Sequence, residues 1–180
     1  MRQSAAGVRR LRRVSDRPAF PALRRQVCAA LDRQHPRDLF DIRYMLETEG
    51  FSQAVRRGFV YCLLGSDRPM NEVLKPNFQD QRQAMENQFA GMSAEEFTYD
   101  DYEAVRARLV EQVNAALSDN ERDFLLSFKE LAPDWSANDS ANYPSVKWKL
   151  LNLEKLKSAN PAKHGELAEA LRAKLWPARV

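Results

Sequence analysis

The sequence predicts an all-α protein, a compact multi-helix domain. Three observations predict it. From residue 27 onward, apolar side chains recur at three- and four-residue helical spacing. The gaps between these runs carry helix-start and helix-stop residues, among them Pro36, Gly50, Thr98, Ser118, Pro144 and Pro161. No stretch alternates with period two between hairpin signals, and no internal repeat is present. A length of 180 residues suits one domain, or a small domain plus a tail.

The elements follow in order. Val27, Cys28, Ala30 and Leu31 lie on one face of a short helix ending near Gln34, broken by His35-Pro36. Pro36 suits the first turn of the next helix, and Asp38 and Asp41 favour the positive end of its dipole. Leu39, Ile42, Tyr44, Met45 and Leu46 form its apolar face, and Gly50 stops it. Phe51 to Leu64 is a third helix, with Val55, Phe59, Cys62 and Leu63 at helical spacing. Pro69 opens a short turn of helix through Leu74. Asn77 is expected to cap a helix running towards Phe89, stopped by Gly91. Thr98 and Asp101 match a capping box before a helix carrying Tyr102, Val105, Leu109, Val113 and Ala116/Leu117. Ser118 caps a helix to about Leu131, and residues 132–144 read as loop. Pro144 starts a helix with Val146, Leu150 and Leu153 on one stripe. Pro161 opens the last helix, to Leu175.

Composition excludes several classes. Two cysteines cannot build a disulfide framework or a four-cysteine zinc site. No apolar run reaches the roughly 18 residues of a membrane helix. With 44% hydrophobic residues the chain has material for a core. The net charge of +3 is uneven. Residues 1–26 hold eight arginines against Asp16, a net of +7, which leaves −4 for the rest. As a segment, 1–26 has four open readings. It is an unstructured tail, a nucleic-acid-binding arm, a mitochondrial transit peptide, or the out-of-frame translation argued below.

The densest polar cluster is Asp32 to Asp41. Asp38 and Asp41, three apart, share a helix face and could orient a metal, a base or a basic partner. Capping and ion pairs among Asp38, Asp41, Arg37 and Arg43 would explain the same residues. His35 and His164 are too far apart in sequence to suggest a metal site. Cys28 and Cys62 read as small buried hydrophobes. Neither a phosphate-binding glycine loop nor a dinucleotide fingerprint is present. In the stretch from Lys147 to Lys157, Trp148 is expected in the core and the lysines in solvent, although the stretch could also touch RNA.

From Ala29 to Ile42, centred on Arg37-Asp38-Leu39-Phe40-Asp41, the chain resembles the nucleotidyltransferase family of AbiEii/AbiGii toxins, from bacterial type IV toxin–antitoxin and phage-defence systems. The likeness continues at Glu86–Met92, Phe124–Lys129 and Trp148–Asn152, and spans roughly residues 27–175. It implies transfer of a nucleotide from an NTP, with Mg²⁺, to an RNA acceptor such as a tRNA end. It also implies a cognate antitoxin as partner and a cytoplasmic location without a membrane. Arg37, Asp38 and Asp41 match the last of the family's four motifs and are its implied catalytic residues here.

The likeness covers only the helical C-terminal part of the family, residues 27–180, without the α/β core. Residues 1–26 match neither the upstream Gly-Ser motif nor the acidic motif. Gln26 stands where the family carries a lysine, and an amide cannot replace that charge on a triphosphate. The expectation is a truncated chain, inactive alone and without bound Mg²⁺ or NTP. The alternative is a helical module that binds RNA or an antitoxin. The family's Glu-Leu-Tyr-Gly-Gly-Lys, written GAG CTC TAC GGC GGC AAG, reads Ala-Leu-Arg-Arg-Gln in the frame two bases on. That is Ala22 to Gln26, so residues 1–26 are expected to be an out-of-frame translation.

Overall fold

The computed structural model describes residues 21–177, with side chains from Gln26 onward except that of residue 137. The basic arm therefore lies outside the described residues as far as residue 20. Among the described residues the structure is all-helical, with no strand.

Helix α1 spans Pro21–Arg33 and so takes in the last residues of the segment read as the arm. Helix α2 spans Pro36–Thr48, with Pro36 at its first position and His35 as N-cap. Gly50, at φ 65°, ends it: the N–H groups of Glu49 and Gly50 both donate to the Met45 carbonyl. Helix α3, Gln53–Gly65, is capped by Ser52, and α4 is the short Met70–Leu74. Helix α6, Tyr99–Ala116, and α7, Asp119–Lys129, each begin with a complete capping box, Thr98 with Asp101 and Ser118 with Glu121. Two 3₁₀ turns, Trp135–Ala137 and Asp139–Asn142, lead into α8, Pro144–Ala159, and α9, Pro161–Leu175.

The segment after Pro76 departs from expectation. Asn77 caps no helix. Residues 77–81 are non-helical, the three-residue α5 is Arg82–Ala84, and it runs into a π-helix, Met85–Phe89. The cause is tertiary. The Asn77 carbonyl accepts from Gln34 Nε2 at 2.8 Å, and the Gln79 N–H donates to Gln34 Oε1 at 3.1 Å. Those bonds hold the segment against α1 instead of letting it coil.

Helix α1 packs along α3 and against α2, α2 packs on α6, and the α8–α9 pair closes on α3, α4 and α7. Val27, Leu31, Leu39, Ile42, Phe59, Leu63, Tyr102, Leu109, Leu125, Phe128 and Leu171 share one continuous apolar cluster. Burying each of these large side chains stabilises the fold by about 2 kcal/mol. Gly65 lets α3 meet α8 closely, since a Cβ there would lie 2.8 Å from Ser145 Oγ.

Helix α8 reverses one expectation. Trp148 is 50% exposed, whereas Lys149 is only 7% exposed. Val146, Lys149 and Leu153 are the buried residues of this helix, at i, i+3 and i+7. Among the described residues no helix is long and apolar enough to cross a membrane.

Candidate functional site

The site is built on the α1–α2 junction. Gln34 ends α1 with φ 51°, a left-handed conformation that costs a non-glycine residue energy. Four long-range bonds hold it there. Its side chain contacts Asn77 and Gln79 as above, its Oε1 accepts from Arg106 Nη1 at 3.2 Å, and its carbonyl accepts from Tyr102 Oη at 2.7 Å. The chain thus turns sharply, and His35 and Pro36 start α2 at a fixed angle to α1.

His35 Nδ1 accepts the Arg37 N–H at 3.2 Å, satisfying one of the orphan donors of the first turn. The ring proton therefore sits on Nε2, which lies 2.9 Å from Gln88 Oε1 and donates to it. Phe40 meets Phe89 and Phe97 with ring centroids 5.2 and 5.3 Å apart. Two separate blocks, residues 35–41 and 86–92, thus meet in space, the second beginning on the π-helix Met85–Phe89, a form frequent at functional sites.

The three expected site residues share the first turns of α2 but have different surroundings. Asp38 pairs with Arg33 Nη2 at 3.0 Å, linking α1 to α2. Arg43 turns away from both aspartates. It pairs with Glu95 at 3.0 Å and stacks over Phe40 and Phe97. Arg37 is exposed. Asp41 Oδ2 accepts from Gln26 Nε2 at 2.6 Å. Asp41 is exposed as a residue, but partial desolvation of its carboxyl holds it above the usual range. The Gln26 amide and the Arg37 charge oppose that rise, and the Asp38 charge adds to it.

Other singled-out residues lie elsewhere. His164 is buried on α9, its Nε2 donating to the Lys129 carbonyl at 3.0 Å. Cys28 and Cys62 are partly buried side by side. A hydrogen bond to Cys62, then burial, pushes the Cys28 thiol well above its ordinary value. A hollow of about 860 Å³, lined by Arg57, Tyr61, Trp135 and Tyr143 among others, lies between α3, α7 and the 3₁₀ turns, and none of the three site residues lines it. Sequence reasoning missed Gln34 and Arg106, which set the junction. The signal available was Arg106 on the buried stripe of α6 between Val105 and Leu109.

A magnesium site needs several oxygen ligands around one point. Among the described residues no group of three or more His, Cys, Asp or Glu side chains could hold a metal ion. Asp38 Oδ2 lies 3.0 Å from Arg33 Nη2 but accepts no hydrogen bond, and Asp41 accepts from Gln26. Asp38 and Asp41 alone are two carboxylates, and a magnesium ion held by them would draw its remaining ligands from water and substrate phosphates.

The family model described as "Nucleotidyl transferase AbiEii toxin, Type IV TA system" matches residues 26–152. That range runs from Gln26, the partner of Asp41, to Asn152 on α8. No curated protein and no solved structure matches the chain.

Proposed function

Because the chain belongs to the AbiEii nucleotidyl transferase toxin family of type IV toxin–antitoxin systems, we propose that its Arg37–Asp41 face is the helical side of a nucleotidyl-transfer site. Arg37, exposed at the start of α2, is the group free to meet a triphosphate. Asp41 beside it is the carboxylate available to an acceptor hydroxyl. Asp38, held by Arg33, fixes the angle between α1 and α2 and so positions the other two. The toxin class implies a cognate antitoxin, and we take an RNA end as the acceptor.

The observation that carries this reading is the 2.6 Å bond between Gln26 and Asp41. Gln26 is where the resemblance places the family's lysine, and it faces the second aspartate of the motif. A lysine there would bring an ammonium to the same face. With an amide instead of that ammonium, the chain by itself does not transfer nucleotides.

Labelled NTP, Mg²⁺ and a tRNA pool incubated with the full chain form the direct test. No label above background is expected, and incorporation would overturn the inactivity. Triphosphate affinity tests the site itself. Gln26→Lys is expected to tighten it about ten-fold, the order of one charge-assisted contact, and Arg37→Ala to cancel that gain. If Gln26→Lys changes nothing, Arg37–Asp41 is not a nucleotide-facing surface. A second reading, a module that binds RNA without transferring to it, is favoured by the exposure of Trp148 between Lys147 and Lys155 on α8.

A further inference from the structure

A second site lies away from α2. Helices α7, α8 and α9 and the loop between α3 and α4 enclose a cavity of about 170 Å³. Met70, Leu156 and Leu167 line its apolar side, and Lys129, Lys149 and Trp148 line it from α7 and α8. Each lysine is only 7% exposed.

The two lysines differ in what explains them. Lys149 Nζ donates to the Ser66 carbonyl and, at 2.7 Å, to the Arg68 carbonyl. It closes the C-terminal end of α3, where a cation is favourable. Lys129 Nζ has no hydrogen bond or ion pair to any described residue. Its backbone carbonyl accepts from His164. Burial pushes the Lys129 ammonium below its usual range. Burial and the Lys129 charge together take Lys149 down to about 8, partly opposed by Asp67. Both lysine side chains border this one cavity, with one exposed acid, Asp67, beside them. Lys149 is satisfied by its two carbonyls, but Lys129 has no described counter-ion to offset the partial desolvation of its head group. An oxyanion between the two lysines would supply the missing charge.

Trp148 narrows the chemistry. Half of its surface is open while it also lines the cavity. An open aromatic ring bordering a cationic cavity favours a ligand with a flat ring next to its anion. The cavity admits a phosphate group and is too small for a whole nucleoside, so the ring would rest outside, on the indole.

We propose that this cavity binds a phosphate ester of an aromatic-ring compound, the group a nucleotide presents, with Lys129 and Lys149 on the phosphate and Trp148 on the ring. The ester can be a free nucleotide or one nucleotide of an RNA strand.

Calorimetric titration of the full chain at low salt with inorganic phosphate, adenosine monophosphate and a five-nucleotide RNA tests this. The nucleotide probes are expected to bind more tightly than inorganic phosphate. Lys129→Met should weaken them about ten-fold or more, as loss of one charge-assisted bond does, without lowering the melting temperature. Lys129→Arg should retain binding, and Trp148→Ala should abolish the advantage over inorganic phosphate. RNA binding with no mononucleotide binding assigns the site to a strand, and equal binding assigns it to a free nucleotide. Both outcomes support the proposal. Absence of binding by all three probes, or unchanged binding in Lys129→Met, overturns it. Inorganic phosphate matching the nucleotides overturns the role of Trp148. If Lys129→Met fails to fold, acylation of Lys129 in the unaltered chain decides the matter by mass spectrometry. Protection by the nucleotide supports the site, and none refutes it.

Discussion

The side-chain carbonyl of Gln34 accepts a hydrogen bond from Arg106 at 3.2 Å, across 72 residues of sequence. The same guanidinium donates to the Gln79 carbonyl at 2.7 Å and lies 4.2 Å from the Phe78 ring centroid. One buried cation on α6 therefore holds both the α1–α2 junction and the non-helical 77–81 segment. Arg106→Met keeps the apolar stem but leaves the Gln79 carbonyl without this donor. It is expected to destabilise the fold by about 2 kcal/mol, the cost of unpairing a buried acceptor together with a charged hydrogen bond. Urea unfolding measures it. A loss below about 0.5 kcal/mol, the range of ordinary surface changes, would mean the junction does not depend on Arg106.

The junction also shows what the sequence could and could not reveal. Leu39, Ile42, Met45 and Leu46 were legible because one face of a helix repeats every 3.6 residues, and all four are buried. Thr98 and Asp101 were legible because a capping box is local. Asn77 was not legible, because Gln34, which holds its carbonyl, is distant in sequence, as is Arg106, which holds Gln79. The case of α8 is different. Val146, Lys149 and Leu153 keep helical spacing, so Lys149 sat on the buried face in plain view, as did Arg106 on α6. Residue type and position point opposite ways there, and a long aliphatic stem lets a lysine occupy an apolar face. For the site, the motif placed Arg37, Asp38 and Asp41 on one turn of helix. The Gln26 and Arg33 contacts depend on how α1 folds back, which no spacing rule encodes.

Asp41 should titrate above a free aspartate, because partial desolvation of its carboxyl outweighs the Gln26 amide and the Arg37 charge. A carboxyl raised in the folded state binds its proton more tightly there than in the unfolded chain. Stability from this group is therefore present below its ordinary pKa and lost as pH rises through the folded value. Gln26→Lys replaces the amide with a cation and should lower the Asp41 midpoint, which carbon-detected NMR titration of the carboxyl reads directly. A midpoint unmoved by that change would place residue 26 away from Asp41 in solution.

Lys149 makes the opposite contribution to pH dependence. Its value falls from 10.5 to about 8, chiefly through burial. The unfolded chain then binds more protons between about 8 and 10.5, so this group makes the fold more stable as pH rises through that window. Lys129 and Asp67 face it, and His164 lies behind Lys129. A shift of this size corresponds to about 3 kcal/mol at most. Unfolding at pH 7.5 and pH 10 should show the unaltered chain gaining on Lys149→Met at the higher pH. A constant difference between the two would show that Lys149 is not desolvated.

Gly65 and Ser145 set the approach of α3 to α8. A Cβ at residue 65 would stand 2.8 Å from Ser145 Oγ and 3.0 Å from Ser145 Cβ. The hydroxyl can rotate away, but the Cβ is fixed to the α8 backbone and cannot. Gly65→Ala is therefore expected to push the helices apart and to destabilise by about 1–3 kcal/mol, as overpacking does. That cost runs against the usual gain from replacing a helical glycine, about 1 kcal/mol. The sign of the net effect thus reports on the contact itself. Ser145→Gly removes both clashing atoms, so in the double variant the alanine should recover its helical gain. The double-mutant cycle isolates this interaction from the loss of the serine, and an interaction energy near zero would show that α3 and α8 do not approach so closely.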